Sequence, residues 1–263
     1  MPDFTKRSED VEIMDDLACA GEVVHQTLRE IENINRLLGG NYVTVDGVRK
    51  ALGIRGWGLG NVHSPQLAPT RRGSTVHGNA VKGTKILNVT DLGCGGGDLL
   101  KLIRAWAEKK GVKLSYTGID ANPNIVAYAR AHTSGLPAIE FEAVDILSDE
   151  FKQRRFDIVV GTLFYHHFSS EQLVNFFRQL KDQTSVGIVI NDIHRHWLAY
   201  YSIKWLTQLF SRSSMVKYDA PLSVMRAFKR KELQDIMQRA GIEHYSLRWM
   251  WAFRWQVVIR IGQ

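Results

Sequence analysis

Lys85 to Asp98, KILNVTDLGCGGGD, is the stretch that decides the fold. Ile86, Leu87, Val89 and Leu92 suit a strand buried on both faces, and Gly93, Gly95, Gly96 and Gly97 let the backbone turn sharply and approach a ligand closely. Leu99, Leu100, Ile103 and Trp106 follow at helical spacing. Strand, glycine loop and helix start together make a nucleotide-type site, because the first amides of a helix are unpaired donors facing the loop.

Residue order narrows the ligand. A dinucleotide fingerprint G-x-G-x-x-G starting at Gly93 needs a glycine where Asp98 stands, so that pattern fails. D-x-G-x-G-x-G stands there instead, with Asp91 closing the strand, and this resembles motif I of the class I S-adenosylmethionine-dependent methyltransferases. Taken alone, the motif leaves a glycine turn of another α/β protein as the alternative.

The following segments fit the same pattern. Leu114 to Asp120, LSYTGID, reads as a second strand ending in an acid, with Asn122 as N-cap and Pro123 as first residue of the next helix. Asp120 has two oxygens with which to accept both hydroxyls of a ribose; an ordinary strand-end turn is the alternative. A third strand over Ala138 to Val144 ends in Asp145-Ile146, where the resemblance implies an acid on the adenine amine and an apolar residue against the ring. Asp91, Gly93, Gly95, Gly97, Asp120, Ala121, Asp145, Ile146 and Thr162 are thereby implied to hold S-adenosylmethionine, and its product S-adenosylhomocysteine.

Phe156 to Gly161 reads as the fourth strand and runs into TLFYHHF, after which Ser169 and Gln172 form a capping box for a helix. Ligands of open α/β sheets lie beyond the carboxyl ends of the strands, so this loop faces the methyl acceptor. The resemblance implies that His166 faces substrate and that His167 is mainly structural. It implies no metal, since metal-dependent relatives place a carboxylate where His166 stands. Val186 to Ile190 reads as the fifth strand; His194 follows it and is a second candidate base. The three catalytic candidates are His166, His194 and His167.

Outside this core, Glu9 to Leu38 reads as helical, with Val24, Leu28, Ile31 and Leu38 on one stripe, and Tyr42 to Leu52 as a short helix. The pair is expected either to fold over cofactor and substrate or to cover one face of the sheet. Gly53 to Thr84 is glycine-rich with little apolar periodicity and is expected to be a flexible loop, with Trp57 docking and Arg55, Arg71, Arg72, His63 and His77 solvated. An insert at about 195–228 contains HWLAYYSIKWLTQLF, apolar nearly all round; it is expected to line a hydrophobic acceptor pocket, with core burial and lipid contact as alternatives. This insert and DAPLSVMRAFKRKELQDIMQRAGI resemble methyltransferases of bacterial polyketide and phenolic-lipid pathways.

The closing segments, Glu243 to Met250 and Arg254 to Ile261, alternate as two strands of a hairpin. The expected fold is therefore α/β: a three-layer, Rossmann-like class I methyltransferase fold with a seven-stranded, mostly parallel sheet, an antiparallel last strand and a helical cap. The division is 1–84 as cap and loop, and 85–263 as cofactor-binding core.

Composition bounds the rest. The chain has 263 residues, 44% of them hydrophobic, enough for one large α/β core. Two cysteines, Cys19 and Cys94, have no metal spacing, and neither a signal peptide nor a membrane span is visible, so a cytoplasmic setting is expected. The net charge of +7 attracts anions in general. Nucleic acid is disfavoured as acceptor, because no proline-rich [DN]-P-P-[YFW] segment and no basic stripe interleaved with aromatics is present. The resemblance implies methylation of a small, apolar, phenolic or otherwise aromatic acceptor, on oxygen in preference to carbon or nitrogen. A non-catalytic cofactor-binding partner protein is the competing class.

Overall fold

The computed structural model describes residues 2–54 and 85–262. The glycine-rich connection, with the expectations placed on Arg55, Trp57, His63, Arg71, Arg72 and His77, lies outside the described residues.

Seven strands form one sheet: β1 (Leu87–Leu92), β2 (Leu114–Asp120), β3 (Ile139–Ala143), β4 (Phe156–Thr162), β5 (Thr184–Ile193), β6 (Tyr245–Met250) and β7 (Arg254–Arg260). Their order is β3-β2-β1-β4-β5-β7-β6, with β1 to β5 parallel and β7 antiparallel to both its neighbours. The order reverses between β1 and β4, which opens a crevice above their carboxyl ends.

Strand periodicity sorts the core into two layers. Val89, Ile158, Val160, Val189 and Val258 face α2 (Gly40–Ala51), α3 (Asp98–Lys110) and α4 (Pro123–His132). Leu92, Val159, Ile188, Ile190, Val257 and Ile259 face the other way, toward α5 (Asp149–Lys152), α6 (Ser170–Gln183) and α9 (Arg230–Arg239). Each such fully buried aliphatic side chain stabilises the fold by roughly 1.5–3 kcal/mol. Helix α2 sits unusually close to the sheet: a Cβ on Gly47 would come within 2.3 Å of Val189 Cγ1.

The sequence signals for α4 and α6 act as written: Asn122 caps α4 on Asn124 N, with Pro123 first in the helix, and Ser169 and Gln172 close a reciprocal capping box on α6. Other boundaries differ. Ile86 lies outside β1 and is 55% exposed. Residues 9–21 are not a continuous helix: they form an extended segment with one 3-10 turn (Ile13–Asp15), and α1 (Glu22–Leu37) begins only after Gly21. That segment is held by side chains instead of by its own ladder, with Asp219 accepting from the amides of Ile13 and Met14.

The two N-terminal helices take different places. Helix α2 covers the sheet, whereas α1 lies over the glycine loop, where Leu28 Cδ2 sits 3.5 Å from the Cβ position of Gly95. The insert forms two helices, α7 (Trp197–Phe210) and α8 (Ser214–Arg226). Only Ala199 and Thr207 of α7 are buried, so this helix is not enclosed all round; Trp197, Trp205, Leu209 and Phe210 remain exposed. Among the described residues no helix is long and apolar enough to cross a membrane.

Candidate active site

Above the carboxyl ends of β1, β2, β4 and β5 lies a cavity of about 1100 Å³, roofed by α1, α7 and α8 and flanked by the N-terminal segment. Gly93, Gly95, Asp91, Asp120, Ala121, Asp145, Ile146 and Thr162 all line it. Gly97 does not: at φ +77° it makes the turn into α3, and its missing Cβ leaves room for Phe141 at 2.6 Å. Gly93, at φ +65°, is pressed against the ring of Phe164, only 2.2 Å from where a Cβ would sit.

The acids at this end are electrostatically uncomfortable. Asp91 is buried and its Oδ1 has no hydrogen-bond partner; burial, then repulsion from Asp120 and Asp98, pushes its carboxyl well above the usual range. Burial likewise raises Asp120, although it accepts from the amides of Asn122 at 3.0 Å and Gly95 at 3.3 Å. Such a cluster suits a cationic ligand that also brings hydroxyl donors. Asp145 is exposed at the rim and accepts from Leu147 N at 2.8 Å, while Ile146 is buried beside it. The Thr162 hydroxyl pairs with that of Thr44 at 2.7 Å, tying β4 to α2.

Beyond β4 the chain passes through Leu163 at φ +55°, a left-handed conformation unfavourable for leucine, held by its amide donating to Asn191 O at 2.9 Å. The turn that follows (Tyr165–His167) carries the histidine pair. His166 is 2% exposed. Its Nδ1 lies 2.7 Å from Asp192 Oδ1, and Nε2 is unpartnered, 3.5 Å from Glu12 Oε1, which is unpartnered too. Burial alone would lower His166, but Asp192 and Glu12 outweigh it and the imidazole is pushed up to about 9. Burial raises the Asp192 carboxyl, but His166, the Ile193 amide and His167 together outweigh it, and it ends below the usual range.

His167 lines the same cavity, but its Nδ1 is taken by Asp15 at 2.5 Å and its carbonyl by Arg226 at 2.7 Å. Arg7 adds bonds to the carbonyls of His166 and Phe168, both at 2.8 Å. The N-terminal segment is therefore clamped onto the histidine turn by side chains. Glu12, His166 and His167 present ligand-type atoms within 4.8 Å of one another, a carboxylate supplied by a segment that sequence order keeps far away.

His194 is a correction. Its expected convergence on the crevice is not seen: it is not among the cavity-lining residues and packs instead against Trp255, His196 and Phe253. Burial, then His196 and Arg195, lower it to about 4. The reason is that β5 runs three residues further than expected, to Ile193, so Ile193 lines the crevice while Asp192 lies buried behind it against His166. Glu12, Asp15, Asp192 and Arg254 are the site residues that sequence reasoning missed. Only Asp192 carried a local signal, as an acid just past the expected strand end.

Residues 89–187 match the family model described as a methyltransferase domain, which spans motif I through β5. Residues 89–187 are a methyltransferase domain, carried on a Rossmann-like sheet.

The chain superposes on the plantazolicin methyltransferase BpumL, in a complex with a triazolic desmethylPZN analog and S-adenosylhomocysteine, with TM-score 0.59 and 12% identity over 90% of each chain. The CMeT domain of the citrinin polyketide synthase gives TM-score 0.50 at 16% identity, covering 67% of this chain and 46% of that one. The pyocyanin biosynthetic protein PhzM gives 0.48 at 14% identity, covering 67% and 50%. At such identities the likeness is one of fold. The chain spans about half the length of the first structures it matches, PhzM and human N-acetylserotonin methyltransferase. No curated protein matches it. The unpartnered Asp91 oxygen beside Asp120 is the feature of this domain that fits a cationic adenosyl ligand such as S-adenosylmethionine.

Proposed function

We propose that the protein methylates a hydroxyl of a small, largely apolar, aromatic or phenolic acceptor, with His166 as general base. The observation that carries this reading is that His166 lines the cavity with its Nδ1 held by Asp192 and its Nε2 3.5 Å from Glu12 Oε1, the two carboxylates raising its basicity.

When bound, the cofactor supplies an electrophilic methyl carbon. In this reading Asp120 accepts from the ribose hydroxyls, Asp145 and Ile146 take the adenine, and Asp91, Gly93, Gly95, Ala121 and Thr162 shape the remaining wall. Asp192 accepts the Nδ1 proton and so fixes the tautomer that leaves the basic lone pair on Nε2. A phenol titrates near about pH 10, so a histidine raised to about 9 is a strong enough base to take its proton during attack. Glu12, beside Nε2, then stabilises the imidazolium formed. The apolar walls exclude water, which would otherwise compete for the lone pair. Nucleic acid has no part in this reading, and His167 serves to hold the turn.

The test is methyl transfer to a panel of phenols by the protein and its His166→Ala variant, with product NMR locating the new methyl group. The expected result is an aryl methyl ether and a rate loss of about 10²- to 10⁴-fold in the variant, with EDTA leaving the rate unchanged. An unchanged variant rate would remove His166 as base, and methyl on carbon or nitrogen would remove the acceptor atom.

A further inference from the structure

Arg254, the first residue of β7, is 4% exposed and lines the cavity. One terminal nitrogen, Nη2, donates to Asn35 Oδ1 at 2.8 Å. The other, Nη1, is buried with no partner, and among the described residues no carboxylate forms an ion pair with it. Burial lowers the guanidinium to about 10 despite the more distant attraction of Asp192, whose carboxylate is committed to His166. A desolvated charge with an open donor is costly unless something pairs it. The fold also keeps the group in place: a side chain on Gly40 would press within 3.1 Å of Asn35 Oδ1 and 3.2 Å of Arg254 Nη2.

Resting on the methyltransferase reading above, we infer that Arg254 Nη1 binds an anionic group of the acceptor, a carboxylate, so that the substrate class is an apolar aryl hydroxy acid. The cofactor's own carboxylate is the competing source. Strand order argues against it: β7 lies three strands from β1, which at about 4.8 Å per strand is roughly 14 Å from the glycine loop. His166 and Arg254 instead flank Asp192 and share the cavity wall. A single acceptor thus has a base for its hydroxyl and a cation for its carboxylate, with Ile193, Phe253 and Trp249 as apolar wall.

Two probes that differ by the carboxylate group test this by calorimetry: 4′-hydroxybiphenyl-4-carboxylate and 4-hydroxybiphenyl, each titrated into the protein loaded with S-adenosylhomocysteine. The carboxylate is expected to bind about ten- to a hundredfold more tightly, the worth of a charged hydrogen bond. Arg254→Gln is expected to erase that preference and Arg254→Lys to keep part of it, with S-adenosylhomocysteine affinity unchanged in both. Equal affinity of the wild-type protein for the two probes, or no binding of the carboxylate, overturns the inference, as does a preference that survives in Arg254→Gln. Loss of S-adenosylhomocysteine affinity in that variant with acceptor preference intact would assign Arg254 to the cofactor instead. Because binding is read without turnover, a carboxylate-selective but inert protein would refute methylation while leaving the role of Arg254 standing.

Discussion

Asp192 Oδ1 and His166 Nδ1 lie 2.7 Å apart with both side chains buried, and the same carboxylate also accepts the backbone amides of His166 at 3.1 Å and Ile193 at 2.8 Å. One acid from β5 therefore sets position, tautomer and basicity of a histidine on the loop after β4.

The pH dependence of turnover follows from this pair. His166 must lose its proton to act as base, and it is held up to about 9, so kcat/KM is expected to rise with pH and to level only near that value. Replacing Asp192→Asn removes the larger of the two attractions, which moves the inflection to lower pH and cuts the plateau through lost tautomer control, by about 10²- to 10⁴-fold. Glu12→Gln should move the inflection in the same direction by less. A flat profile from pH 6.5 to 9 in the unaltered protein would refute the base assignment.

The same pair has a consequence for stability. A histidine raised in the folded state stabilises the fold fully below its unfolded value of 6.5, and the contribution is lost as pH rises through about 9. The upper bound is about 3 kcal/mol across that window. Thermal melts should show Tm falling by several degrees between these pH values, and falling less in His166→Gln. Equal pH slopes for the two proteins would show that the pair carries no net folding energy.

What sequence reading reached, and what it did not, divides along the chain's local signals. The glycine loop, the acid ending β2, the acid shortly after β3, and the caps of α4 and α6 act within a few residues of themselves, so their patterns are legible in one dimension. Glu12 meets His166 only because Arg7, Arg226 and Asp219 clamp an otherwise irregular segment across the fold, and no local pattern announces such a contact. His194 missed the crevice, which Ile193 lines instead, because the length of a strand decides which side chain stands at its end. Arg254 sat in an alternating strand pattern and was indistinguishable from a surface arginine until its burial was seen.

Cofactor binding is expected to depend on Asp120 more than on any other side chain. Its two oxygens face the cavity with only backbone amides as partners, and two charge-assisted hydrogen bonds to sugar hydroxyls are together worth about a hundredfold in affinity or more. Asp120→Ala should therefore raise the Kd for S-adenosylhomocysteine by at least that factor in a titration. A change of threefold or less would mean that the ribose is held elsewhere.

Gly93→Ala tests the turn itself. The position has φ +65°, where an L side chain loses about 1–2 kcal/mol, and its new Cβ would sit 2.2 Å from the Phe164 ring, so that ring must move. Phe164 is two residues from His166, and its displacement carries the strain from the cofactor loop to the base. The expected outcome is a Tm lowered by about 2–4 °C per kcal/mol lost, together with weaker S-adenosylhomocysteine binding and slower transfer. Adding Phe164→Ala should restore part of the binding by making room, but not the backbone strain. If Gly93→Ala alone left melting temperature and affinity unchanged, the loop would not be packed as the structure has it, and the coupling between cofactor loop and histidine turn would fall with it.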